Sequence, residues 1–207
     1  MVVVFDLDDT LYDEIEFVKS GFKEVCAFLQ NEIYFDFMWS EFLKEGSGKI
    51  FDKLIQKFNL TISLEKLVEI YRFHFPEINL DADTKILLTH LKKKIKLALI
   101  TDGHYITQKN KFAALGLEKF IEFPVFTDTL NTKKPDKKPF MYVSDFFCDN
   151  KYVYVADNPK KDFFAPKELN WFTIRYKNPK GIYRDIKNNA DVEIENLGEV
   201  ATILDGL

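Results

Sequence analysis

Cysteine, which can cross-link a chain, and glycine and proline, which interrupt regular secondary structure, are scarce in this sequence. Its 207 residues include two cysteines, eight glycines and seven prolines, and no internal repeat or low-complexity tract is present. Cys26 and Cys148 lie far apart, and neither has a partner at the spacing of a metal site. We therefore expect two buried free thiols in a reducing compartment, and no disulfide framework.

Long hydrophobic runs and an excess of positive charge are absent as well. No apolar stretch approaches the length of a bilayer-spanning helix, and the strand predicted at the N-terminus leaves no room for a signal peptide. The formal net charge of −4 gives no basic surface for nucleic acid. With 46% apolar and 30% charged residues, we expect a cytoplasmic globular protein that binds neither membranes nor nucleic acid. Its length suits one domain with an insertion, or two small domains.

The N-terminal stretch carries the clearest signal of a functional site. The unbroken apolar run Val2 to Phe5 is typical of a strand buried inside a parallel sheet, and it ends at Asp6 and Asp8, with Thr10 two positions further. Ligands of such sheets bind beyond the carboxyl ends of the strands. Two carboxylates this close need a cation between them or a shared proton, and Mg²⁺ is a suitable cation. The alternative is an ordinary polar turn after a strand.

Further apolar runs predict more strands, separated by segments of helical periodicity. The predicted strands are Leu97–Ile100, Phe123–Phe126, Tyr152–Ala156, Trp171–Ile174 and an edge strand at Ala190–Ile194. The predicted helices cover about 81–94, 105–115, 163–169 and 197–204, with another that begins at Phe140. This alternation predicts an α/β fold, a Rossmann-like doubly wound parallel sheet.

The segment from 14 to 80 has only helical periodicity. Apolar stripes begin near Ile15, Ile50 and Leu64, with a break at Gly46-Ser47-Gly48 and a predicted N-cap at Ser63. We predict an α-helical domain at 14–80, inserted into a core formed by 1–13 and 81–207. The alternative is that these helices belong to the core of a single domain.

Four short motifs together resemble those of the haloacid dehalogenase superfamily. The run from Phe5 to Leu11 resembles its first motif, D-x-D-x-T after a hydrophobic strand. Thr101-Asp102-Gly103 resembles the second, Lys134-Pro135-Asp136 the third, and Asp157 with Asp162 the fourth. They occur in the family's order, although the family more often has Asn at the position of Asp102. The resemblance implies that the helical insertion is a cap over the active site.

The resemblance also implies a Mg²⁺-dependent phosphatase and a role for each motif. Asp6 would be the nucleophile that forms a phosphoaspartate. Asp8 would donate and later accept a proton, a role for which we expect a raised pKa. The Asp6 carboxylate, the Asp8 backbone carbonyl and Asp157 would bind the metal, with Thr10 and Asp162 supporting them. Asp162 would orient Lys134 or a metal-bound water. The phosphate would contact Leu7, Asp8, Thr101, Asp102, Gly103 and Lys134; Lys133 is the alternative to Lys134, and the role of Asp102 is open.

The expected substrate is a small phosphorylated metabolite, because a cap that closes over the site disfavours protein and nucleic acid. Lys49, Arg72 and His74 are the candidate substrate contacts in the cap. Thr101-Asp102-Gly103 followed by Gln108 is similar to a branch of the family often seen with surface-polysaccharide pathways, which implies a sugar phosphate. Asp8 disfavours a dehalogenase, which lacks an acid at that position.

Two other functions stay open at this stage. A phosphotransferase or phosphomutase would use the same residues but would keep water from the phosphoaspartate. A non-catalytic regulatory binding protein would be expected to have lost at least one of Asp6, Asp8, Lys134 and Asp157, and all four are present. The sequence does not determine the oligomeric state.

Overall fold

The computed structural model describes residues 1–207 and divides into two compact units. The first unit comprises Met1–Glu14 and Asn79–Leu207, and the second comprises Ile15–Ile78. The helices of the chain are α1 (Glu14–Leu29), α2 (Ile33–Glu45), α3 (Ile50–Phe58), α4 (Leu64–Phe73), α5 (Ala82–Lys92), α6 (Tyr105–Ala114), α7 (Lys138–Phe147), α8 (Phe164–Glu168) and α9 (Glu199–Asp205). None of them combines the length and the apolar character that crossing a bilayer requires.

The first unit is built on a six-stranded sheet in which all pairings are parallel. Its strands are β1 (Val2–Phe5), β2 (Lys96–Thr101), β3 (Phe123–Phe126), β4 (Tyr152–Ala156), β5 (Phe172–Tyr176) and β6 (Val192–Ile194). They lie in the order β3-β2-β1-β4-β5-β6. The prediction of a Rossmann-like doubly wound parallel sheet is confirmed.

Strand β1 lies in the middle of this sheet, which explains its unbroken apolar sequence. Val2 pairs with Lys96 on one side and with Tyr152 on the other, and all four residues of β1 are fully buried. A strand covered on both faces favours apolar side chains at every position. The backbone N–H of Asp6 continues the ladder by donating to the Val155 carbonyl at 2.9 Å. Asp6 therefore emerges at the carboxyl edge of the sheet.

Aromatic side chains fill the core on one face of the sheet. Tyr154, at the centre of β4, packs edge-to-face against Phe140 of α7 with ring centroids 5.0 Å apart. Phe163 and Trp171 complete the same cluster. Such rings remove large apolar areas from water, and a buried tyrosine hydroxyl needs a hydrogen-bond partner. The hydroxyl of Tyr154 has such partners in Lys134 and Asp162 at the edge of the sheet.

The second unit is a helical bundle with its own aromatic core. Phe22 of α1 lies 5.9–6.5 Å, between ring centroids, from four rings, those of Phe35, Phe42, Phe51 and Tyr71. Ser63 caps α4, its side chain accepting a hydrogen bond from the Lys66 backbone N–H, so that prediction is confirmed. The stripes seen in the sequence thus pack against each other within this unit.

One sequence-based expectation about the core is wrong. Cys26 is buried, as predicted, but Cys148 is exposed. Cys148 follows the last turn of α7 with a φ of 48°, a left-handed conformation typical of a helix end at the surface. Phe146, two positions earlier, is more than half exposed as well, so the end of α7 lies at the surface.

Gly21 allows α1 to lie close to the ring of Tyr71, so a larger residue at this position should destabilise the protein. A Cβ at this buried position of α1 would overlap the ring of Tyr71. We expect Gly21→Ala to lower the free energy of unfolding by about 1–3 kcal/mol, because overpacking outweighs the gain in helix propensity. Urea-induced unfolding measures the change.

Gly48→Ala is the matched control, because a Cβ there would meet no atom within 4 Å. We expect it to change the free energy of unfolding by less than about 0.5 kcal/mol. Equal stability of the two variants would contradict the packing assigned to Tyr71.

Candidate active site

The parallel sheet gathers the predicted site residues at one edge. Thr101 is the last residue of β2, Asp6 follows β1 and Asp157 follows β4. Since β1 lies between β2 and β4, these three positions are neighbours at the carboxyl end of the sheet. Lys134 reaches the same edge from the segment between β3 and α7.

Lys134 is the centre of a buried charge cluster. Its Nζ lies 2.6 Å from Asp6 Oδ1 and 2.7 Å from Asp162 Oδ1, and it donates to the Tyr154 hydroxyl at 3.0 Å. Burial alone would lower the pKa of Lys134, but the carboxylates of Asp162 and Asp6 raise it well above its ordinary value. Lys134 is therefore an ammonium. The alternative, Lys133, is exposed.

Asp162 holds Lys134 and also organises the loop after β4. Its side chain is fully buried. Oδ1 accepts a hydrogen bond from the Tyr154 hydroxyl at 3.4 Å, and Oδ2 accepts one from the Asn158 backbone N–H at 3.2 Å. Tyr154 was not among the residues predicted from the sequence, since an aromatic residue in a buried strand is ordinarily part of the core.

Three buried carboxylates at this edge could hold a metal ion. One ligand oxygen from each of Asp6, Asp157 and Asp162 lies within 4.8 Å of the others. Asp157 has no lysine or arginine within ion-pair distance, whereas Asp6 and Asp162 share Lys134. Three carboxylates and one ammonium leave a formal charge of −2. A divalent cation with a preference for oxygen ligands fits this donor set.

The pKa values of the carboxyl groups at this edge reflect their burial and the same excess of negative charge. Burial, and then the charges of Asp6 and Asp162, raise the pKa of Asp157 to about 9. Burial also raises the pKa of Asp6, to about 6, although Lys134 opposes the shift. Both carboxylates would be stabilised in their charged form by a bound cation.

Asp8 is held by three residues of the first unit. Lys111 Nζ lies 2.7 Å from Oδ1, the Tyr12 hydroxyl donates to Oδ1 at 2.5 Å, and Gln108 Nε2 donates to Oδ2 at 2.8 Å. Burial would raise the pKa of Asp8, but the charge and hydrogen bond of Lys111 outweigh it, so the pKa lies below its ordinary value. The expectation of a raised pKa is therefore wrong for this state of the protein.

The residues that hold Asp8 were missed as site residues at the sequence level. Gln108 and Lys111 lie three positions apart on α6, so they share one face of that helix. The helix begins at Tyr105, two positions after Gly103, and this closeness to the Thr101-Asp102-Gly103 motif was the available signal. Tyr12 lies four positions after Asp8 in the loop that follows β1.

The Thr101-Asp102-Gly103 motif is packed against Gln108. Thr101 is 1% exposed, and its Oγ1 lies 2.6 Å from Gln108 Nε2. Gly103 has a φ of 127°, and a Cβ there would lie 3.3 Å from the Gln108 side chain. Both the backbone conformation and the packing of Gln108 therefore favour glycine at this position.

Asp102 links three loops of the site. Its Oδ1 accepts hydrogen bonds from the Thr127 hydroxyl at 2.9 Å and the Lys134 backbone N–H at 3.1 Å, and its Oδ2 lies 3.0 Å from Lys161 Nζ. Burial would raise the pKa of Asp102, but Lys134 and Lys161 outweigh it and lower the pKa. Because the carboxylate is engaged in these contacts, any phosphate contact of Asp102 would come from its backbone.

Leu7 and Thr10 support the turn that carries Asp6 and Asp8. The Leu7 side chain is fully buried, and its carbonyl accepts hydrogen bonds from the backbone N–H groups of Thr10 and Leu11. Only the backbone of Leu7 is thus suited to a phosphate contact. Thr10 is 2% exposed, and its Oγ1 is buried without a hydrogen-bond partner.

The predicted substrate contacts of the helical unit differ in their surroundings. Lys49 and Arg72 are exposed. His74 is buried, with Nδ1 2.7 Å from the Tyr71 carbonyl oxygen and Nε2 3.0 Å from Ser20 Oγ. Both ring nitrogens of His74 are therefore engaged in holding the bundle together.

Comparison with known proteins identifies the family. Residues 3–175 match the family described as haloacid dehalogenase-like hydrolase. A glyceraldehyde 3-phosphate phosphatase from Methanocaldococcus jannaschii is 30% identical, over 99% of this chain and 97% of the relative. An N-acylneuraminate-9-phosphatase from Rattus norvegicus is 24% identical, over 69% of this chain and 67% of the relative. A magnesium-bound HAD hydrolase structure from Bacillus subtilis superposes with a TM-score of 0.72 at 18% identity, over 99% of this chain and 98% of that one.

Removal of the central ammonium should destabilise the protein. We expect Lys134→Met to lower the free energy of unfolding by about 3–5 kcal/mol, because the buried carboxylates of Asp6 and Asp162 lose their common partner. Lys133→Met, at the exposed neighbouring position, is the control and should be nearly neutral. Urea-induced unfolding of both variants checks this, and similar losses in the two would contradict the cluster.

Asp157 should make the metal-free protein less stable at high pH. A carboxyl group with a raised pKa binds its proton more tightly in the folded state, so stability falls as pH rises from about 4 toward about 9. We expect the thermal midpoint in EDTA to fall over this range in the wild type. The fall should be smaller in Asp157→Asn, and identical slopes for the two proteins would contradict the assigned shift.

Proposed function

Because this chain belongs to the haloacid dehalogenase-like hydrolase family and is a phosphatase, we propose that it hydrolyses a small sugar-type phosphate monoester through a phosphoaspartate on Asp6, with Mg²⁺ as cofactor. One observation carries the proposal. The carboxylate of Asp6 lies in contact with a buried ammonium and within 4.8 Å of two further buried carboxylates. A nucleophile, a cation for the phosphate and a divalent-ion site thus occupy one edge of the sheet.

The first step is the transfer of the phosphoryl group to Asp6. One Asp6 oxygen is held by Lys134 at 2.6 Å, so the other can attack phosphorus. The new bond joins Asp6 to phosphorus, and the bond from phosphorus to the alcohol oxygen of the substrate breaks. Asp8 gives its proton to that oxygen, so a neutral alcohol departs.

The second step releases the phosphate. Asp8, now a carboxylate, takes a proton from a water molecule that attacks phosphorus, and the bond to Asp6 breaks. The lowered pKa of Asp8 favours the carboxylate form that this step requires. For the first step, the negative charge of a bound phosphate would oppose the effect of Lys111 and favour the protonated carboxyl group.

The phosphate is held by groups of opposite charge or by hydrogen-bond donors. Lys134 offsets negative charge as it grows on the phosphoryl oxygens, and the hydroxyl of Thr101 donates to one of them. The backbone N–H groups of Leu7, Asp8, Asp102 and Gly103 are the further proposed donors. Mg²⁺ bound by the Asp6 and Asp157 carboxylates and the Asp8 carbonyl would reduce the repulsion between Asp6 and the phosphate. Asp162 either orients Lys134 or completes this ligand set.

The relatives support the proposed substrate class, and so does a helical cap, which would favour a small substrate. Both curated relatives described above are named for small phosphorylated carbohydrates, and the first spans nearly the full length of this chain. Glyceraldehyde 3-phosphate is therefore the first substrate to test. Lys49 and Arg72 are the proposed contacts for the part of the substrate beyond the phosphate.

A panel of phosphorylated metabolites tests the proposal. We expect phosphate release from glyceraldehyde 3-phosphate or a related sugar phosphate with Mg²⁺, and none with EDTA. Asp6→Asn should abolish turnover, because an amide cannot form the acyl phosphate, and a quenched wild-type reaction should carry one phosphoryl group on Asp6 by mass spectrometry. Wild-type activity in Asp6→Asn would exclude this nucleophile. Isomer formation without phosphate release would identify a phosphomutase instead.

A further inference from the structure

The Asp8 carboxylate is restrained at both of its oxygens. Oδ1 is bound by Lys111 at 2.7 Å and by the Tyr12 hydroxyl at 2.5 Å, and Oδ2 is bound by Gln108 at 2.8 Å. These three residues, which we call the Asp8 clamp, come from the loop after β1 and from α6. A carboxylate with partners on both oxygens cannot rotate without breaking one of these contacts.

The burial of Lys111 shows that this contact is more than a surface ion pair. Lys111 is 3% exposed, and lysine is rarely that buried unless it is paired. The Asp8 side chain is 21% exposed, so the carboxylate still has an accessible side. Glu14 lies 3.7 Å from the same ammonium but is half exposed. Lys111 is therefore directed to Asp8, while Lys134 serves Asp6.

Gln108 connects the clamp to the phosphate side of the site. Its amide nitrogen donates to Asp8 Oδ2 and, at 2.6 Å, to the Asp102 carbonyl oxygen, and both of these atoms can only accept. The Thr101 hydroxyl oxygen lies 2.6 Å from the same nitrogen, and because that nitrogen has only two protons it can only share one of them. The Thr101 proton is thus left for another partner, such as a phosphate oxygen.

We propose that Lys111, Gln108 and Tyr12 are positioning residues that aim the Asp8 carboxyl group at the leaving oxygen of the substrate. This inference rests on the proposed function, because the clamp can aim Asp8 only if the protein cleaves a phosphate ester whose leaving oxygen Asp8 protonates. A proton donor works only within hydrogen-bond reach of the atom it protonates, and misplacement by about 1 Å can cost about 100-fold in rate. A loosened Asp8 should therefore impair the reactions that need a proton and spare those that do not.

Leaving groups of different basicity separate these cases. An alkoxide departs slowly unless it is protonated, whereas p-nitrophenolate departs readily without a proton. The ratio kcat/KM reports binding and phosphoryl transfer to Asp6, and it excludes the later hydrolysis of the phosphoenzyme. The comparison therefore uses kcat/KM for glyceraldehyde 3-phosphate and for p-nitrophenyl phosphate, with saturating Mg²⁺.

Lys111→Met is the main test variant. We expect its kcat/KM for glyceraldehyde 3-phosphate to fall about 10- to 100-fold, and its kcat/KM for p-nitrophenyl phosphate to stay within about threefold of wild type. Lys111→Arg, which keeps the charge, should recover part of the loss. Lys109→Met is the matched control, because Lys109 is an exposed lysine on the same helix, and it should leave both values unchanged.

Tyr12→Phe provides a second test that does not depend on the folding of Lys111→Met. It removes only the hydroxyl bound to Asp8 Oδ1. We expect the ratio of kcat/KM for glyceraldehyde 3-phosphate to kcat/KM for p-nitrophenyl phosphate to fall, by a smaller factor than in Lys111→Met. Equal losses for the two substrates, or no loss for the sugar phosphate, would overturn the clamp. Failure of the proposed function would appear instead in the wild type, as absence of phosphate release, or in Asp6→Asn, as retained activity.

Discussion

One buried ammonium, that of Lys134, makes it possible for three carboxylates to share one edge of the sheet. The parallel arrangement brings Asp6, Asp157 and Asp162 so close together that their mutual repulsion would oppose folding. Lys134 neutralises part of that charge and joins two of the three carboxylates. It leaves Asp157 unpaired, and this remaining excess of negative charge makes the edge suited to a divalent cation. The stability of this edge and its suitability for a cation thus both depend on the partial neutralisation of the three carboxylates by Lys134.

Much of the fold could be predicted because it follows from local pattern. The apolar run Val2–Phe5 can only be accommodated between two other strands, and its observed neighbours are β2 and β4. The helices of the second unit follow from stripes of period 3.6 and from the break at Gly46. Local pattern does not predict whether a residue at the end of a helix or strand is exposed to solvent. Cys148 follows an aromatic run and yet lies at the surface, because α7 ends there in a left-handed turn.

The residues of the candidate site could be predicted where they directly follow a strand or belong to one of the four motifs, as Lys134 and Asp162 do. Thr101 and Asp157 were identifiable because strand ends share an edge. Lys111 was not, since a lysine inside a helix ordinarily points to solvent, and only the tertiary placement of α6 turns it toward Asp8. The same tertiary contact explains why the pKa of Asp8 was predicted in the wrong direction. The raised pKa was expected from the role of a proton donor, but the ammonium of Lys111, which the sequence did not place beside Asp8, outweighs the effect of burial.

The central position of β1 has a consequence for how the molecule is assembled. Val2 pairs with Lys96 and Tyr152, which follow it by 94 and 150 positions, whereas the other strand pairs of the sheet join segments that are much closer along the chain. Closing such long loops costs more entropy and is slow compared with forming helices. Asp6 and Asp157 therefore meet only after the most distant parts of the polypeptide have joined. Under the proposed function, a chain that has formed only its helices would have no catalytic centre, and turnover would report that β1 has joined β2 and β4.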